Sequence, residues 1–307
     1  MARLVSVVIP AYNSEETIAA VIEQTRSVLQ AGGLDCEFVV VDDASRDGTW
    51  AVVRALAAKN DDVRAIHFRR NFGQHSALLA GVRTARGEWI VTLDDDLQHP
   101  AAEIPNLLRE LDKGVDVVYG FPRNLPHSVT RNLLSAMTKI ALQRAMGADT
   151  ARHHSGFRVF RTVLRDAFAH YDGGVVNLDV LLTWSTTRFA WIFVEHRPRT
   201  IGRSNYTAGK LFAHAMTLIT GFSTVPLRIA SIAGLAFTLL GAVLLAIVVG
   251  RYFIQGVSVP GFAFLASAIS IFSGVQLFAL GIMGEYLARI HTRTLGRPAY
   301  VIAETAE

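Results

Sequence analysis

The chain has 307 residues, 51% of them hydrophobic in a count that leaves out its 24 glycines, only 18% charged, and a mean hydropathy of +0.31. Soluble domains carry about 25% charged residues, so this composition argues against an ordinary cytosolic enzyme and excludes collagen-like, coiled-coil and disordered classes. One cysteine, Cys36, rules out an intrachain disulfide and a four-cysteine zinc site, and a net charge of +4 on so apolar a chain points to a membrane surface, with no nucleic-acid partner expected.

The first element, LVSVVIPAYN, has the continuous β-branched run of a buried parallel strand and is ended by Pro10 and Asn13. EETIAAVIEQTRSVLQAGG follows as a helix, with Ser14 as a cap, an apolar stripe of Ile18, Val21, Ile22, Val28 and Leu29, and a stop at Gly32-Gly33. CEFVVVDDAS reads as a second buried strand, residues 49–59 as a helix, DVRAIHF as a third strand, HSALLAGVRTAR as a third helix, and EWIVTLDDD as a fourth strand. Alternation with short connections predicts an α/β fold: an open, mostly parallel sheet with helices on both faces. Such sheets bind ligands outside the carboxyl ends of their strands, where the second and fourth strands end in acid.

Farther along, Leu211, Ala215, Leu218, Ile219 and Phe222 fall on one face of a helix, which predicts an interfacial amphipathic segment over residues 206–228. Residues 229–250 are 22 without a charge and residues 261–284 are 24, with one arginine, Arg251, between them. About 20 apolar residues cross a bilayer, so residues 229–285 read as a two-helix transmembrane hairpin. Arg197, Arg199, Arg203, Lys210 and Arg228 precede it and Arg289, Arg293 and Arg297 follow it, which puts both termini and the domain of residues 1–205 on the cytoplasmic side of the inner membrane. Residues 286–307 are then a cytoplasmic tail. Met1 to Arg3 leads straight into a strand, so secretion is not expected.

Three features carry chemistry. VDDASRDGT sets Asp42 and Asp43 at a strand tip, where a carboxylate can accept from a nucleobase imino group or a ribose hydroxyl; Asp47-Gly48 reads equally as turn punctuation. LDDDLQHP groups Asp94, Asp95 and Asp96, which repel one another unless a cation neutralises them. Strand alternation puts Asp94 and Asp96 on one side and Asp95 on the other, and oxygen ligands suit Mg²⁺ or Mn²⁺ bridging a diphosphate, with Gln98 and His99 close by. A spread of basic residues, Arg123, Arg131 and Lys139, then Arg197, Arg199, Arg203 and Lys210, suits an anionic headgroup at the bilayer face. The GxSxG, GxxxxGK[ST], GxGxxG and HExxH patterns are absent. Adjacent His153 and His154 point in different directions and read as structural or substrate contacts, and His67, His75, His170 and His214 are isolated and take no role.

Taken in order, IPAYN, VDDASRDGT, RNFGQ, LDDDLQHP, SGFRVF and RPRTIGRSNYTAGKL, followed by two apolar spans, resemble the family 2 glycosyltransferases. The match is to their polyprenyl-phosphate branch, which includes dolichyl-phosphate mannose synthase and bacterial undecaprenyl-phosphate glucosyl and aminoarabinosyl transferases. The resemblance implies a GT-A-type sheet, a nucleotide-diphosphate sugar donor (UDP before GDP), Mg²⁺ or Mn²⁺, a polyprenyl phosphate acceptor and a homotetramer. It assigns Pro10, Ala11, Tyr12, Asp42, Asp43, Gln74 and Asp95 to the nucleotide sugar. Asp94, Asp96 and Gln98 go to the metal, and Arg123, Arg131, Ser135, Arg199, Arg203 and Lys210 to the acceptor phosphate. Asp94, Asp96 and Arg199 are the residues it implies for catalysis, by inverting transfer. Two departures stand out: Ser14 follows the Asn of PxYN where many relatives have an acid, which leaves that contact to Glu15 or Glu16, and Gly156 stands where some relatives have an acid before FR. The alternatives are a processive polysaccharide synthase, against which the missing QxxRW motif speaks, and a non-catalytic nucleotide-sugar-binding membrane module, against which the acidic triplet speaks.

Overall fold

The computed structural model describes residues 4–123, 153, 155–174, 176–195, 225–255 and 261–307. They divide into two units, Met1–Leu211 with Gly296–Glu307, and Phe212–Leu295. The first is built on strands β1 (Leu4–Ala11), β2 (Asp35–Asp42), β3 (Val63–Phe68), β4 (Trp89–Thr92), β5 (Val117–Pro122), β6 (Arg158–Arg161), β7 (Phe189–Val194) and β8 (Ile302–Ala306). Its helices are α1 (Ile18–Ala31), α2 (Thr49–Ala57), α3 (Gln74–Thr84), α4 (Ile104–Leu111) and α5 (Leu178–Ser185).

The strands form one sheet in the order β7-β5-β6-β4-β1-β2-β3-β8. The four strands expected from the sequence pair in parallel as β4-β1-β2-β3, while β6 runs antiparallel between β4 and β5, and β8 runs antiparallel along β3. Continuous apolar runs follow from burial on both faces. In β1, Val5, Val7 and Ile9 enter the core on one face, with α1 and α4, and Val8 enters the core on the other, with α3. α4 turns Ile104, Leu107, Leu108 and Leu111 inward at helical spacing.

Charged groups inside this sheet are paired. Glu37 accepts from Ser6 Oγ, Arg64 and the Arg86 N–H at 2.5 Å. Burial pushes its carboxyl up, and these partners overcome that and hold it below the usual range. Arg158 and Asp179, 2% and 4% exposed, form an ion pair that also takes the Tyr119 hydroxyl at 2.9 Å. Burial pushes the Cys36 thiol up to about 11, which suits an inert, partly buried residue packed against the core.

The second unit holds helices α6 (Val225–Gln255) and α7 (Phe262–Thr294), packed together with the Phe237 and Phe272 rings edge to face at 6.0 Å. Both are long and apolar enough to cross a membrane, over Leu227–Gly250 and Ile271–Thr292. Leu235, Leu239, Leu277 and Phe278 remain exposed, as lipid-facing side chains would. The helices outrun the expected spans: Arg251 lies inside α6, and α7 continues past residue 284, because charge ends an apolar run without interrupting i to i−4 hydrogen bonding. Within residues 286–307, expected as a tail, the first part completes α7, and Ile302–Ala306 forms an edge strand of the first unit's sheet beside β3. The amphipathic segment expected over residues 206–228 lies outside the described residues up to 224.

Candidate active site

The chain builds β1, β2 and β3 outward in one direction and then returns to add β4 on the other side of β1. The carboxyl ends of β1 and β4 therefore flank the point where strand order reverses, the crevice in which open α/β sheets bind ligands. Three loops leave the sheet here, and each contains a non-glycine residue in the left-handed region: Asn13 (φ 55°), Ala44 (φ 56°) and Leu97 (φ 60°). Such conformations cost on the order of 1 kcal/mol and cluster where loops are held for function.

The first two loops are laced together. Asn13 N donates to Ser45 Oγ at 2.9 Å, Asn13 Oδ1 accepts from Arg46 N at 2.8 Å, and Ser14 N donates to Thr49 Oγ1 at 2.8 Å. Glu15, one of two residues left to replace the missing acid, uses its carboxylate to accept from Gly48 N at 2.9 Å. Asp47 accepts from Thr49 N at 3.1 Å, just before α2, and also accepts from Glu15 N at 3.3 Å. Burial opposes its ionisation, and these bonds outweigh burial and lower its pKa. Asp47-Gly48 is thus loop structure, one of its two sequence readings.

Asp42 ends β2 and Asp43 follows it, with opposite uses. Asp42, fully buried, accepts from Ser45 N and Oγ through one oxygen and bonds His67 Nδ1 at 2.6 Å through the other. Asp43 turns toward the loop before α3, where its oxygens accept from Phe72 N at 2.7 Å and Gly73 N at 2.8 Å. Burial pushes the Asp43 carboxyl up against these bonds. Gly73, at φ +91°, adopts a backbone that favours glycine and delivers Gln74 to the first turn of α3.

The acidic triplet follows β4. Asp95 accepts from Tyr12 N at 3.1 Å, tying the β4 loop to the β1 loop across the reversal point, and burial pushes its carboxyl up. Asp94 accepts from Gln74 Nε2 at 2.7 Å, and Asp96 accepts from Gln98 N at 3.1 Å. Pro10 and Ala11 complete β1 beside Val41 and Asp42, with Tyr12 exposed just beyond. Among the described residues no group of three or more His, Cys, Asp or Glu side chains could hold a metal by itself. Two neighbouring carboxylates with oxygen-only chemistry fit a Mg²⁺- or Mn²⁺-like cation that takes its other ligands from water and a diphosphate.

Behind Asp94 lies a chain of hydrogen bonds. Arg158 Nε donates to Thr92 Oγ1 at 3.1 Å, and Thr92 Oγ1 donates to the Gly156 carbonyl at 2.5 Å. Gly156 comes so close to Asp94 that a Cβ there would stand 2.9 Å from its Oδ2. No pattern in the sequence pointed to the Arg158–Asp179 pair or to His67, since both depend on partners brought in by strand pairing.

Of the basic residues, Arg123 is exposed at the end of β5, its N–H bonded to the Val194 carbonyl at 3.2 Å. Arg131, Ser135, Arg199, Arg203 and Lys210 lie outside the described residues, as does His154. His153 stacks on Trp191 at 3.9 Å, beside Phe121 and Phe193, and His99 stacks on Phe157 at 5.2 Å.

Residues 6–171 match glycosyl transferase family 2. The chain is 34% identical over 303 residues to the undecaprenyl-phosphate 4-deoxy-4-formamido-L-arabinose transferase of Yersinia pestis (strain Pestoides F), covering 98% of this chain and 93% of that one. It is 33% identical to the protein of the same name from Pseudomonas fluorescens, covering 98% and 89%. Its fold is similar to that of glucosyl-3-phosphoglycerate synthase from Mycobacterium tuberculosis, solved with Mn²⁺ and UDP-glucose, with a TM-score of 0.51 at 23% identity over 71% of this chain and 77% of that one. The chain belongs to glycosyl transferase family 2, and within it to the polyprenyl-phosphate glycosyltransferases.

Proposed function

We propose that this enzyme transfers one sugar, with inversion, from a nucleotide-diphosphate sugar, UDP-linked before GDP-linked, to a polyprenyl phosphate of the undecaprenyl type. The reading is carried by the acids at the carboxyl ends of β2 and β4, on either side of β1, with the Tyr12–Asp95 bond tying the β4 loop to the β1 loop at the strand-order reversal and the Asn13–Ser45 bond tying the β1 loop to the β2 loop. The names of the relatives, which act on undecaprenyl phosphate, and the Mn²⁺ and UDP-glucose held by the structural neighbour support it.

In this reading Pro10, Ala11, Tyr12 and Asp42 line the nucleotide. Asp43, facing the Phe72–Gly73 backbone, shapes the loop that presents Gln74, and Gln74 orients Asp94. Asp94 and Asp96, with Gln98 beside them, would hold a divalent cation that neutralises the departing diphosphate. A phosphate monoester has a second pKa near 6, so the acceptor is largely dianionic at neutral pH and needs no general base. Its oxygen attacks the anomeric carbon, the bond from that carbon to the diphosphate oxygen breaks, and the electron pair leaves with the nucleoside diphosphate. Gly156 in the position of an acid agrees with a reaction that has no proton to remove. Arg123, Arg131, Ser135, Arg199, Arg203 and Lys210 supply phosphate-binding chemistry for the acceptor.

Localisation follows the same reading: an inner-membrane hairpin with both ends cytoplasmic. The return of the chain after α7 to pair with β3 supports an even number of crossings.

The test uses the full chain in detergent with Mn²⁺ or Mg²⁺, a panel of UDP- and GDP-sugars, and undecaprenyl phosphate present or absent. Release of nucleoside diphosphate that requires both metal and lipid, and that Asp96→Ala abolishes without lowering Tm, is the expected result. Release that ignores the lipid, or an active Asp96→Ala enzyme, would overturn the reading.

A further inference from the structure

The carboxyl end of β3 carries a group that neither the motifs nor the proposed chemistry uses. His67 bonds Asp42 through Nδ1 at 2.6 Å. The His67 ring stacks on the Trp50 indole, centroids 5.0 Å apart and planes at 26°. Trp50 stands in the first turn of α2, and its Nε1 donates to Glu304 Oε2 at 3.2 Å. Glu304 lies directly across the β3–β8 ladder from His67 and also meets Arg54 at 3.5 Å. The indole is thus held from two sides, by the imidazole on its face and the carboxylate at its edge.

Trp50 and Glu304 are 254 residues apart, and the chain between them includes both apolar helices. The last strand does not merely touch β3. Ala299 is buried in the core, the Tyr300 ring stacks on Phe68 at 5.2 Å with planes at 8°, and the Val301 carbonyl accepts from Arg69 N at 3.0 Å. Glu304 is therefore delivered opposite His67, beside the register shift between His67 and Phe68.

We propose that Trp50 and Glu304 are positioning residues for the donor site: the C-terminal strand fixes the indole, the indole fixes the imidazole, and the imidazole sets the Asp42 carboxylate that receives the nucleotide. This rests on the assignment of Asp42 to the nucleotide. It makes the end of the chain part of the donor pocket without itself touching the donor, so donor affinity depends on strand β8 being docked.

A double-mutant cycle on the full chain in detergent tests it, because residues acting through one another are non-additive. Binding of UDP, and separately of GDP, with Mn²⁺ is measured by calorimetry for Trp50→Leu, Trp50→Phe, Glu304→Ala, Asp42→Asn and the Trp50→Leu/Asp42→Asn pair. Trp50→Leu should weaken the preferred nucleotide about fivefold to tenfold and Glu304→Ala about threefold, with Trp50→Phe, which keeps a ring for stacking, recovering most of the loss. In the Asp42→Asn background Trp50→Leu should add less than about twofold. Losses that add in full, or that follow Tm across the set, would make Trp50 an ordinary packing residue and overturn the proposal. Normal binding by Trp50→Leu beside weak binding by Asp42→Asn would overturn it while leaving the donor assignment standing. Normal binding by Asp42→Asn, or a parent enzyme that takes neither nucleotide, would instead refute the donor assignment and the proposal with it.

Discussion

Replacing Gly156 by alanine should separate activity from stability. Gly156 is not among the glycines in the left-handed region, so alanine is admissible to the backbone and the perturbation is one methyl group. That methyl would stand 2.9 Å from Asp94 Oδ2 and 3.1 Å from Oδ1, where ordinary contact begins at 3.4 Å. The carboxylate must retreat by about 0.5 Å, and that movement strains its 2.7 Å bond from Gln74. One such bond is worth about 1 kcal/mol, and the glycine-to-alanine change returns about 0.4–1 kcal/mol through the unfolded chain, so Tm should hardly move. In the proposed role of Asp94 as a metal ligand, disturbing its support costs about tenfold to a hundredfold, and that is the loss expected in metal-dependent turnover. Nucleoside diphosphate release across a Mn²⁺ titration, beside thermal unfolding of the same preparation, is the assay. Full activity at ordinary Mn²⁺ would refute the role of Asp94, and a loss in step with a falling Tm would refute the geometry.

Arg158→Met leaves Asp179 charged and buried, which should cost about 3–5 kcal/mol and lower Tm by roughly 6–20 °C, whereas Arg158→Met/Asp179→Leu should recover most of it; equal melting of parent and single variant would exclude the pair as a structural element. Glu37, held below the usual carboxylate range, contributes stability that is complete above its unfolded value of about 4.3 and is lost as pH falls through the lower folded value. Glu37→Gln should therefore be less stable near neutrality and show a flatter acid limb in urea unfolding between about pH 5 and 2, and an unchanged slope would contradict the assignment. Arg199→Ala should raise the KM for undecaprenyl phosphate about tenfold or more with donor KM within about twofold, and equal losses would remove Arg199 from the acceptor site.

The local pattern was enough for β1 to β4, because a strand buried on both faces writes its burial into an unbroken run such as VSVVI or FVVVD. The acids at their tips were legible for the same reason, since polar residues that end such a run must meet solvent or a ligand. β6 and β8 were not legible. RVFR and IAETA are short and mixed, and each becomes a strand only because a neighbour offers a free edge. Asp42 and Asp43 look equivalent in sequence, yet strand alternation turns one toward His67 and the other toward Phe72 and Gly73. His67 was isolated in sequence because its partners, Asp42, Trp50 and, across the ladder, Glu304, come from three other elements.

Strand β8 also has a consequence for anyone preparing the catalytic unit without its apolar helices. A fragment that stops before α6 loses its eighth strand and bares the N–H and C=O row of β3, from Val63 to Phe68, along the sheet margin. Such a margin is a template for another copy's strand, so the fragment should self-associate through β3 as its concentration rises. Joining residues 296–307 back to it through a flexible linker would cover that margin and yield a monodisperse catalytic unit.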